Sequence, residues 1–164
     1  MNRWLKYALV GLAFGILDWY YLDLLAHFPW GSFGDSILVV PVIILLNYGI
    51  WLVPVIPVVW LEARRNQRLL YPILAGMLTW SCAIFSYYAY YTLLLSIGAL
   101  PHLESLSLFA RRYPGFWQEW GTMFQRIILD QFLEWIIIAI LGGAVIAALV
   151  TWLYQKWSRR STKI

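Results

Sequence analysis

Residues 128–154 read ILDQFLEWIIIAILGGAVIAALVTWLY. Apart from Asp130 and Glu134, this stretch carries no charge over 27 residues, and a helix rising 1.5 Å per residue needs only about 20 apolar residues to cross a bilayer core. A transmembrane β-strand would alternate apolar and polar side chains, whereas Ile136-Ile137-Ile138-Ala139-Ile140-Leu141 does not alternate. Outward from this segment, residues 4–26, 37–60 and 70–97 have the same character. The chain of 164 residues is 62% hydrophobic and 12% charged, with a mean hydropathy of +0.69. Soluble domains are nearer 45 to 50% apolar and 25% charged, so a soluble globule is excluded. The abundance of aromatic residues excludes a disordered chain, and a lone cysteine, Cys82, excludes a disulfide scaffold. The expected fold is an all-α membrane protein, a four-transmembrane-helix bundle forming one integral-membrane domain over residues 1–164.

The charge balance is +4, yet the basic residues sit at the ends of apolar segments, where they meet lipid headgroups rather than nucleic acid. Arg3, Lys6, Arg64, Arg65, Arg68, Lys156, Arg159, Arg160 and Lys163 fall on one face, and only Arg111, Arg112 and Arg126 on the other. Because Lys and Arg stay cytoplasmic, both termini are expected inside, in an inner membrane. Arg3 and Lys6 ahead of an apolar run resemble a signal peptide, but Asp18, Trp19, Tyr20 and Tyr21 follow in place of small residues, so the first span is read as uncleaved. The second outer segment, about residues 99–126, is broken by Pro101 and Pro114. A proline suits the first turn of a helix, so short interfacial helices are expected there, carrying Leu103, Leu106 and Phe109, then Phe116, Trp117, Trp120 and Phe124.

Gly11 and Gly15 are four residues apart, as are Gly143 and Ala147. Small residues at that interval let helix backbones approach, within one chain or between copies. Pro41, Pro54 and Pro57 kink the second span, and Asn47 between them is expected to hydrogen-bond across to another helix in preference to a substrate. Trp and Tyr clustered at the span boundaries read as headgroup anchors ahead of an aromatic binding box. The tyrosines of the third span, Tyr87, Tyr88, Tyr90 and Tyr91, are placed in that aromatic belt ahead of an inner crevice.

Intramembrane charges are costly, so they face a bundle interior or a wet cavity. Asp18 stands about 21 Å along the first span from Trp4, and Glu134 lies under two turns inside the fourth. Asp23 and His27 share a helical face, as do Asp130 and Glu134. With His102 beyond the third span, these groups have three readings. They form an outer network of ion pairs with Arg126, Arg111 or Arg112, which ranks first. They form a proton or cation pathway through Asp18 and Glu134, or they hold a divalent metal as helical bundles do. No Glu-x-x-His motif supports the metal, and no cofactor fingerprint occurs. Cys82 has no basic neighbour to activate it and is read as a packing residue.

No motif names a family. The leading functional expectation is a small oligomeric transport or channel-type protein. An accessory or scaffolding subunit of a larger membrane complex ranks beside it, and an enzyme acting on a lipid or polyprenyl substrate, with the outer carboxylates and His27 or His102 as acid and base, ranks below both. The expected partners are the lipid bilayer, further copies of the chain or other membrane subunits, and no nucleic acid.

Overall fold

A computed structural model describes residues 2–27, 39–66, 68–100, 103, 107–111 and 114–161. Among these residues every regular element is helical and none is a strand. Helix α1 spans Arg3–Ala26, α2 Val39–Tyr48, α3 Leu52–Arg65, α4 Leu70–Ile97, α5 Phe116–Met123 and α6 Asp130–Ser161. A 3-10 turn, Gly49–Trp51, joins α2 to α3, and a π turn, Phe124–Leu129, joins α5 to α6. The result is four helical stretches long and apolar enough to cross a bilayer: Arg3–Ala26, Val40–Arg65, Leu70–Ile97 and Phe116–Ser158.

Two of these boundaries differ from the sequence reading. The second stretch runs past residue 60 to Arg65 because Glu62, the one acid in it, is enclosed by the bundle and supplied with partners there. The fourth begins at Phe116, since α5 continues into α6 without a loop. Pro114 does not open α5. That helix starts two residues later, behind Gly115 at φ 86°, a left-handed conformation that glycine adopts without strain. Pro101 and Leu106 lie outside the described residues.

In the second stretch, where the prolines predict a kink, the α-helical pattern is interrupted by the 3-10 turn upstream of Pro54. A proline ring clashes with the carbonyl four residues earlier and leaves it without its hydrogen bond. For Pro54 that carbonyl belongs to Ile50, the centre of the 3-10 turn.

Helix α4 is the hub, packed against α1, α3 and α6, while α2 lies at the periphery. The inner stripe of α1 is Tyr7, Gly11, Gly15 and Asp18. A Cβ on Gly11 would stand 2.2 Å from the Thr79 carbonyl oxygen, and one on Gly15 2.0 Å from that of Ala83. These two glycines therefore set the approach of α1 to α4 within one chain. Across the hub, Gly143 backs onto Met77 and Gly76, and Ala147 lies under Gly76. Gly142 sits against the Trp80 indole.

Trp51, Val55, Val59, Trp80, Ile84 and Tyr88 fill the centre. The outside of α6 exposes Leu133, Ile137, Leu141, Val145, Leu149 and Leu153, an unbroken apolar row at intervals of four. Large apolar side chains facing outward, with Asp18, Glu62, Thr79 and Thr151 among the buried residues, suit a bundle surrounded by hydrocarbon.

Candidate functional site

The bundle is unequal along its length. At the end that carries both termini, Trp60 packs on Tyr154 at 5.2 Å, and α4 meets α6 through Gly76 and Gly143. At the opposite end α2 departs from α4, and two cavities open between the spans. The smaller, about 180 Å³, is bounded by Leu22 of α1, Asn47 and Tyr48 of α2, Tyr87 and Tyr88 of α4, and Trp135 of α6. All four stretches therefore contribute to its wall. The larger, about 520 Å³, lies between α1 and α4, where Trp19, Tyr20 and Asp23 face Tyr87, Tyr90 and Tyr91, with His27 at the rim. Leu22 and Tyr87 belong to both walls.

The tyrosines are thus not only a belt. Tyr87 touches Trp19 at 5.5 Å between ring centres and Trp51 at 6.1 Å. Trp19 also packs on Tyr91 at 4.7 Å, and the hydroxyls of Tyr20 and Tyr90 are hydrogen-bonded to each other. Because α4 turns this aromatic face toward α1, Tyr87, Tyr90 and Tyr91 also line the crevice between the two helices.

Asp18 stands one turn below Leu22 on the inner stripe of α1. It is 1% exposed, and neither carboxylate oxygen has a hydrogen-bond partner. Burying a carboxylate without a partner is among the most expensive placements a fold can make, and Asp18 stands one turn from Leu22, which lines both cavities. Asn47 departs from its expected role. Its amide donates at 2.8 Å to the Ile43 carbonyl of its own helix, with no bond across to a neighbour among the described residues, because α2 stands away from α4 there and cavity lies between them.

The outer polar residues do not converge. Asp23 and His27 do meet, with Nδ1 of His27 3.6 Å from Oδ1 of Asp23 and 2.8 Å from the Asp23 backbone oxygen. Asp130, Glu134, Arg126 and Arg111 are all exposed, and among the described residues none of them forms an ion pair. Among the described residues the arginine network therefore does not assemble: α6 packs on α4 and α3 with Trp135 at the smaller cavity, while Asp130 and Glu134 stay exposed. Among the described residues no three His, Cys, Asp or Glu side chains come together as a metal site would require. His102 and Arg112 lie outside the described residues.

A polar cluster that the sequence reading passed over closes the opposite end. Glu62 is 0% exposed; its Oε2 accepts the Tyr7 hydroxyl at 2.7 Å, and its Oε1 faces Arg3 at 3.2 Å and accepts the Asn66 amide. The Arg3 guanidinium lies over the rings of Trp4 and Tyr71 at 5.4 and 5.5 Å. Helical phase carries the signal for this cluster. Val55, Val58, Val59 and Glu62 fall at helical spacing on the buried face of α3, and Tyr7 falls one turn before Gly11 on that of α1.

Compared with protein families, with curated proteins and with solved structures, the chain has no match.

Proposed function

We propose that the chain is a small polytopic protein of transport or channel type, self-associated in an inner membrane, that passes a proton or cation by way of Asp18. One observation carries the reading: a fully buried carboxyl with no hydrogen-bond partner, one helical turn from Leu22, which lines both cavities. Intramembrane carboxylates of this kind mark ion pathways and proton relays, where the passing charge supplies the missing partner. Self-association follows from size, since four helices enclose only a narrow path. The excess of Lys and Arg at the terminal end supports an orientation with both termini in the cytoplasm. The cavities then face outward and the Glu62 cluster closes the inner side. Reporter fusions at the two ends reading opposite compartments would overturn that orientation.

The direct experiment is flux in proteoliposomes, with a trapped pH dye for protons and a potassium gradient for cations. Asp18→Asn keeps the shape of the side chain while removing its charge, and flux should fall by about tenfold or more while the protein elutes as a folded assembly. Should that variant fail to fold, Tyr87→Phe removes only the hydroxyl between the cavities and should slow flux in its place. Wild-type flux in a folded Asp18→Asn protein would sink the proposal.

A second reading, an accessory subunit, draws on Glu134. This carboxylate is exposed beside the apolar row of α6, a position that suits the helix of another membrane subunit better than lipid. A stoichiometric partner copurifying from native membranes, and lost on Glu134→Leu, would favour it; a homogeneous homo-oligomer would count against it.

A further inference from the structure

The larger cavity has a chemistry of its own. Its volume of about 520 Å³ is in the range of small-molecule sites. Trp19, Tyr20, Tyr87, Tyr90 and Tyr91 supply five ring systems to its wall, and Asp23 supplies a carboxylate. Among the described lining residues there is no Lys or Arg, and His27, its Nδ1 3.6 Å from Asp23 Oδ1, is the basic group nearest that carboxylate.

The two features together select a ligand class. An aromatic face presents negative potential, so rings converging on one space attract a cation whose charge is spread over apolar groups. A small inorganic ion prefers water or oxygen ligands to such a wall, whereas an anion would meet the Asp23 carboxylate. A neutral apolar molecule would fit the rings but would leave Asp23 with only its 3.6 Å contact to His27.

We infer that the cavity between α1 and α4 is a binding site for an organic ammonium ion, its alkylated nitrogen held among Trp19, Tyr87 and Tyr91 and its charge facing Asp23. Ring spacing supports the placement: Trp19 lies 4.7 Å from Tyr91 and 5.5 Å from Tyr87, so the three rings form one continuous corner. The same chemistry is offered by a soluble alkylammonium solute and by the choline headgroup of a lipid reaching in from the membrane. The site names a substrate class for the transport reading but rests on that reading only for passage. Occupancy needs no flux, and the two fail separately.

The test is equilibrium binding of benzyltrimethylammonium to the full chain in maltoside micelles, followed by tryptophan fluorescence. Saturable binding is expected. Asp23→Asn, at an exposed position where folding is not at stake, and Tyr91→Leu should each weaken it by about fivefold, the factor that one cation–ring contact or one partly screened charge provides. Short-chain phosphatidylcholine competing where short-chain phosphatidylglycerol does not would support the site and assign it to a lipid headgroup. Competition by neither would support it and assign it to a soluble ammonium ion. Absence of saturable binding, or equal affinity in wild type, Asp23→Asn and Tyr91→Leu, would overturn the inference even if Asp18-dependent flux were found.

Discussion

At Gly15 an added Cβ would lie 2.0 Å from the Ala83 carbonyl oxygen, whereas at Gly121 nothing lies within 4 Å. The same substitution should therefore have opposite signs at the two positions. Gly15→Ala must push α1 off α4 and should cost about 1 to 3 kcal/mol, the usual range for overpacking. Gly121→Ala, inside α5 and in open space, should add about 0.5 to 1 kcal/mol by restricting the unfolded chain. Thermal melts in one detergent would check both, and a Gly15→Ala protein as stable as wild type would show that the α1–α4 approach is looser than described. The Gly11–Gly15 spacing was legible in the sequence because two small residues one turn apart form a pattern. Their counterpart across α6, Gly76, was not, since one glycine in a span makes no pattern until Gly143 is seen against it. Asp18 was legible as a costly charge. That it has no partner was not, because pairing depends on which neighbour faces it.

Helices α5 and α6 run on through the π turn. Phe116 of α5 and Ile128 of the turn are buried, and Phe132 and Trp135 pack on the core that holds Ile128. An unbroken α-helix over the nineteen residues from Phe116 to Trp135 would drift by about 100° from a whole number of turns. The wider turn at Phe124–Leu129 absorbs that drift by holding one extra residue. Deleting Gln125 alone should convert the π turn to regular α-helix with both ends still in phase, leaving the melting temperature within about 3 °C of wild type. Deleting Gln125 and Arg126 together should rotate α5 by about 100° and expose Phe116, costing about 2 to 3 kcal/mol of lost burial. Equal damage from the two deletions would show that the turn is not a one-residue insertion. Nothing in the sequence announced this turn, because its mark is a slip of phase visible only once the buried face is known. The prolines of the second span announced an interruption of the α-helix, which lies one turn upstream of Pro54 as the 3-10 turn Gly49–Trp51.

For the whole molecule, hydropathy was enough to find four spans, since a bilayer demands long apolar runs whatever the packing. Which span is central was also written, in a less obvious way. Residues 70–97 form the least apolar of the four and the most deeply buried, as expected when lipid claims the greasier surfaces and the bundle interior takes the polar ones. The hollow at one end was not legible, because it arises from how far α2 leans from α4 after the 3-10 turn. This asymmetry should be visible to a water-soluble thiol reagent in a Cys82→Ser background. Asn47→Cys and Gln131→Cys, in the wall of the smaller cavity, should react at least about tenfold faster than Val59→Cys and Ala147→Cys, which lie in the packed core, because reactivity follows access and thiolate formation. Comparable rates at all four sites would mean that water reaches the terminal half as freely as the loop half. The Glu62 cluster would then not be the closed end of the bundle.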